Sequence, residues 1–62
     1  MTAGEKLKKL RGERPCLKVA KEIGISRSAL IKYENDERKP IPDIMKKIAD
    51  YYGKTVDFIF FS

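Results

Sequence analysis

Apolar side chains recur along this chain at the spacing of helices, in five short blocks. Leu7 and Leu10 fall at i, i+3 within residues 2–12, and Val19, Ala20 and Ile23 at i, i+1, i+4 within residues 16–23. Leu30 and Tyr33 repeat the three-residue step within residues 27–35. Met45, Ile48, Ala49 and Tyr52 then lie at i, i+3, i+4, i+7 in a fourth block. In a last short segment Val56, Ile59 and Phe60 share an inward face, and Phe58 and Phe61 share another. The pattern predicts an all-α fold of five short helices.

Punctuation between the blocks supports those boundaries. Thr2 and Glu5 have capping-box spacing at the start of the first helix, and Gly12 is a stop. Glu13-Arg14-Pro15 is a short connection, with Pro15 before or at the first turn of the second helix. Gly24 ends that helix, Ile25 buries its side chain in the turn, and Ser26 caps the third helix. A charged loop, residues 36–41, separates the third helix from a fourth opened by Pro42, with Asp43 near its N-terminus. Gly53 closes the fourth helix, and Thr55 caps the fifth.

Residues 16–35 form the central stretch, two helices joined at Gly24-Ile25-Ser26. Helices crossing steeply need a small residue at closest approach, which Ala20 supplies, and a turn residue tolerant of positive φ, which Gly24 supplies. The third helix then turns Arg27, Ser28, Ile31, Lys32 and Asn35 outward. A face serving solubility alone would carry Glu–Lys pairs. This one mixes a guanidinium, a hydroxyl, a bare isoleucine, an amine and an amide. Arg27 can pair bidentately with guanine, and Ile31 can press on a thymine methyl. A solvated surface is the competing reading for Arg27, Ser28 and Lys32.

Composition narrows the classes of function. Sixty-two residues is the size of a single domain, 1–62, near the lower limit for one core. The lone cysteine, Cys16, excludes a disulfide within the chain, and the lack of histidine argues against a zinc site. Stability must come from dense packing, with dimerisation as a further source. No general base accompanies Cys16, so an enzyme is not expected, nor is a metal, cofactor or small-molecule ligand. A free thiol, no long apolar run and no signal-like start predict a cytoplasmic protein. Fourteen Lys and Arg against nine Asp and Glu give a net charge of +5, which favours a polyanion only weakly. The cluster Lys6, Lys8, Lys9 and Arg11 reads as a solvated face of the first helix, with partial contact to DNA phosphates as the alternative.

The chain resembles the phage Cro and repressor type of helix-turn-helix regulator, the Xre-like class. The residues that carry the likeness are Leu7, Leu10-Arg11, Val19-Ala20, Gly24-Ile25-Ser26, Tyr33-Glu34-Asn35, Pro40, Ile48-Ala49, Tyr52-Gly53, Thr55-Val56-Asp57 and Ile59. The resemblance implies a lambda-repressor-like DNA-binding domain of five helices, with the helix-turn-helix at about residues 16–35 and residues 27–35 in the major groove. It implies base reading by Arg27, Ser28, Ile31 and Lys32, and phosphate contact by Asn35, Arg38 and Lys39. Glu34 matches a family glutamate that is usually structural. The chain departs from the family where Pro15 and Cys16 replace a polar start of the second helix, so the phosphate clamp there is expected to be weaker, or to be supplied by backbone N–H groups and Arg14.

Phe58 and Phe61 suggest a partner surface, most simply a second copy of the chain, with a tail folded over the core as the competing reading. The function expected is a sequence-specific transcriptional regulator, a Cro-like or Xre-like repressor that binds a palindromic operator as a homodimer. The alternatives are a protein-interaction module on the same fold, such as an antitoxin or anti-repressor, and a non-specific architectural DNA binder.

Overall fold

The capping box expected at the start of the chain is present in the computed structural model, which describes all of residues 1–62. The Glu5 amide donates to Thr2 Oγ1 at 3.1 Å, and the Thr2 amide donates to the Glu5 carboxylate at 2.7 Å. These bonds open α1, Ala3–Arg11, and Gly12 closes it. Next come α2 (Cys16–Ile23), α3 (Arg27–Glu34) and α4 (Pro42–Tyr52). The last element, α5, covers Asp57–Phe61. The fold is all-α with five helices, as the apolar spacing predicts, and none is long and apolar enough to cross a membrane.

Most boundaries fall within a residue or two of expectation, because the caps are real. Ser26 Oγ accepts from the Ala29 amide at 3.0 Å, Pro42 opens α4, and Thr55 Oγ1 accepts from the Phe58 amide at 3.0 Å. Gly24, at φ 96°, lets the Ile25 amide turn back to the Ala20 carbonyl at 3.0 Å, which sets the angle between α2 and α3. Ile25 is half-buried rather than enclosed. The main departure is α5, which winds as a π-turn rather than an α-helix. Wider winding changes which side chains share a face.

The core lies between α1, α2, α3 and α4 and is closed by Ile59 of α5. Leu7, Val19, Ala20, Leu30 and Ile48 have no exposed surface, and Ile59 keeps only 1%. Ala20 is fully enclosed in this core, as its small size suggests.

Two features of α1 were hidden in the apolar pattern. Arg11, expected on the solvated face, instead turns inward and grips the buried carboxylate of Glu34 through Nε at 2.7 Å and Nη2 at 3.0 Å. Glu34 lies four residues after Leu30, on the buried stripe of α3, and so needs a partner inside. The second feature is Gly4, which is buried where α1 meets the end of α3. A Cβ there would lie 2.3 Å from the Glu34 carbonyl oxygen and 2.8 Å from Asp36 Oδ2. The close neighbour is backbone, so it cannot swing aside. Gly4→Ala should therefore destabilise the protein by about 1–3 kcal/mol, despite the better helix propensity of alanine. Chemical denaturation checks this, and an alanine variant as stable as the parent would refute the close approach.

Acid should loosen the same corner. Hydrogen bonds from the Thr2 hydroxyl and then the Gly4 amide hold the Asp36 carboxyl below its ordinary range, and the Thr2 amide does the same for Glu5. Both folded values are depressed. Their stabilisation is therefore full above the ordinary carboxylate range and is lost as pH falls through the lowered values. The thermal midpoint should drop below roughly pH 4. Asp36→Asn should flatten that drop, and an unchanged acid limb would rule out the contribution.

Candidate nucleic-acid interface

The interface is built on α3. Leu30, Tyr33 and Glu34 anchor this helix at 0%, 8% and 4% exposure. The opposite side is thereby left facing water. Arg27, Ser28, Lys32 and Asn35 are exposed, and neither ion pair of the structure involves the cations Arg27 and Lys32. Ile31 differs from expectation: it is half-buried, not bare. It follows Leu30 by one residue, about 100° around the helix, which puts it at the border between the two faces.

The charges at helix starts are unequal. Glu5, Asp43 and Asp57 stand in the first turns of α1, α4 and α5, where a carboxylate meets the positive end of the helix dipole. α2 and α3 have no acidic residue there. α3 even begins with a cation, Arg27, at the end where a cation is least favoured. Three free amides at each start (Pro15 has no N–H, and the Ala29 amide is taken by Ser26 Oγ) and an unopposed dipole make these two ends attractive to an anion. The two ends are close enough for Arg27 to act on the Cys16 thiol. Burial first, then Glu34, push that thiol upward, and Arg11 and Arg27 oppose them. Cys16 is half-buried, packed against the core and held as the neutral thiol.

The side chains expected at phosphates divide. Asn35 caps the end of α3 and is exposed, its Nδ2 only loosely placed at 3.4 Å from Glu37 Oε2. Arg38 and Lys39 come next in the loop, at the rim of an open depression floored by Tyr33 and Phe60. The Lys39 ammonium sits 4.9 Å from the centre of the Phe61 ring. Arg14 is placed otherwise. Its guanidinium donates to the carbonyls of Leu10 and Arg11 and to the Tyr51 hydroxyl, at 3.0, 3.1 and 3.1 Å. It also covers the rings of Tyr51 and Tyr52 at 5.6 and 5.7 Å. The short connection after α1 folds Arg14 back onto carbonyls that have no helical partner. The geometry therefore gives it a packing role at the end of α1, while its side chain stays exposed.

Phe58 and Phe61 are 48% and 59% exposed. They do not form the single patch expected of an α-helix. Phe58 lies between Lys6 and Lys54, at 5.5 and 5.4 Å, and Phe61 lies under Lys39. The π-winding of α5 goes with these separate cation neighbours.

A family model described as helix-turn-helix matches residues 17–59, most of the chain. The chain belongs to this family. Its type is that of Cro, the phage repressors and the Xre-like proteins. No curated protein matches the chain. The match begins just after Pro15 and Cys16, the positions at which the chain departs from the family's usual polar start. Members of this helix-turn-helix family are DNA-binding regulators, and that is the class of this protein.

Gly4 and Asp36 matter here and are not singled out from sequence, and Arg11 is read there only as part of a solvated cluster and of the family likeness. For Gly4 and Arg11 a signal existed: they lie at i and i+7 around Leu7 at i+3, on one stripe of α1. For Asp36 the signal was its place just past the α3 cap, where the backbone needs positive φ.

Proposed function

We propose that this protein is a sequence-specific repressor of the Cro-like or Xre-like kind, residues 1–62 acting as one DNA-binding unit in the cytoplasm. Two copies bind a palindromic operator, each laying α3 in the major groove. Arg27, Ser28, Ile31 and Lys32 read base edges, and Asn35, Arg38 and Lys39 hold phosphates. The observation that carries this reading is the pair of acid-free helix starts at α2 and α3 with Arg27 exposed at one of them. Stability alone would place carboxylates there, as it does on the other three helices. Phe58 or Phe61 supplies the apolar contact between copies, and a two-fold pair would set its reading helices about 34 Å apart, one turn of DNA.

Selection of bound sites from random duplex DNA tests the reading. An enriched site with two inverted halves about one helical turn apart is expected. Failure to enrich any site would favour a non-specific architectural binder. Binding should weaken steeply with salt, by about 0.9 in log–log slope for each phosphate held. The exposed phenylalanines favour one other reading, a protein-interaction module. It predicts that Arg27→Ala and Lys32→Ala leave binding to every DNA sequence untouched.

A further inference from the structure

α2, α3 and α4 end in the same turn. In each, an amide reaches back five residues: Ile25 to the Ala20 carbonyl, Glu37 to Lys32 and Lys54 to Ala49, at 3.0, 2.9 and 3.0 Å. The residue before that amide has positive φ each time: 96° at Gly24, 59° at Asp36 and 67° at Gly53. Glycine takes this conformation at no steric cost, and aspartate only tolerates it. The middle turn therefore carries a residue that its backbone would not select. Its side chain explains the choice. Asp36 Oδ2 accepts from Thr2 Oγ1 at 2.6 Å, and Oδ1 accepts from the Gly4 amide at 2.9 Å. The carboxylate straps the residue just past the α3 cap to the start of α1, using an amide that has no partner within that helix.

The loop beyond the strap gives it a consequence. From Glu37 the chain leads to Pro40, which is buried and forms the loop's second anchor. Arg38 and Lys39 stand between the two anchors. Arg38 is exposed and in neither ion pair, and Lys39 rests on Phe61. We infer that Asp36 is a positioning residue for DNA binding, whose strap to Thr2 and Gly4 fixes the loop that presents Arg38 and Lys39 to the phosphate backbone. The inference rests on the reading of that loop as phosphate-facing. A carboxylate in a loop that faces phosphates would by itself repel them. Here its oxygens are taken up by two donors, and Lys8 lies near enough to act on it.

Asp36→Asn and Asp36→Gly separate positioning from charge and from stability. Both remove the same charge. The asparagine keeps an acceptor for Gly4 and a hydrogen-bonding group for Thr2, whereas the glycine keeps the turn and loses the strap. Affinity for a fixed duplex is measured over a series of salt concentrations, well below the unfolding temperature. The asparagine variant should keep the parent's salt slope, and the glycine variant should lose about 0.9, one phosphate contact. Equal slopes in the two variants would overturn the inference, because a strap that only stabilises the fold lowers the melting point without moving the slope. Arg38→Ala and Lys39→Ala serve as references. If neither lowers the slope, the phosphate reading fails and takes the strap with it. If they do and the glycine variant does not, the strap alone fails. A measurement on the unaltered protein covers the case of a glycine variant that does not fold. Coupling is reciprocal, so where the Gly4 amide exchanges faster than the core amide of Ile48, by local opening of the strap, added duplex should slow its exchange. Slowing at Ile48 with none at Gly4 would overturn the inference.

Discussion

Arg11→Met should destabilise the protein by about 3–5 kcal/mol, the usual cost of leaving a buried charge without its partner. Glu34 is 4% exposed, and Arg11 supplies both of its side-chain hydrogen bonds, at 2.7 and 3.0 Å. The bond to Glu34 also raises the guanidinium above its ordinary value, so arginine is fully charged at every pH of interest. Arg11 further donates to the Arg14 carbonyl at 2.8 Å, and that bond goes too. A small domain has roughly 5–15 kcal/mol in hand, so this single change should bring it close to unfolding at room temperature. Urea denaturation measures the loss. Arg11→Met combined with Glu34→Leu should recover most of it, since a buried pair replaced by apolar groups of similar volume is often neutral. A loss under about 1 kcal/mol in the single variant would mean that the pair behaves as an ordinary surface bridge.

The pair also marks where the sequence stops being legible. The helices were readable because their apolar stripes, caps and glycines agree with one another at each boundary. Arg11 and Glu34 were not paired in that reading, because charged residues count as surface until a partner 23 positions away is known. Asp36 and Gly4 escaped for the same reason: their meaning depends on a contact across the chain, 32 positions apart. The charge of Arg14 suggests a phosphate, and its bonds to the carbonyls at the end of α1 depend on a fold-back that local spacing does not show. In α5 an α-helical period puts Phe58 and Phe61 on one face, whereas the chain winds wider there. α3 is the clearest part of the candidate site. Its inward and outward faces follow from local spacing alone, apart from Ile31 at their border.

Arg27→Ala should lower affinity for the selected operator by about 1–3 kcal/mol, roughly 5- to 150-fold, and erase the base preference at one position in each half-site. Function and stability separate cleanly at this residue. Arg27 is exposed, engages in no ion pair and sits at the helix end where a positive charge is disfavoured. Its removal should therefore leave stability within about 0.5 kcal/mol of the parent, or slightly raise it. Arg27→Lys keeps the charge but loses the planar fork that matches guanine. That variant should keep most of the non-specific affinity and the salt slope while losing the base preference. Arg38→Ala should do the reverse, weakening all sequences alike and lowering the slope by about 0.9. Binding titrations on the operator and on a site altered at that base pair give all of these values. An alanine variant that still discriminates the altered site as the parent does would remove Arg27 from the set that reads bases.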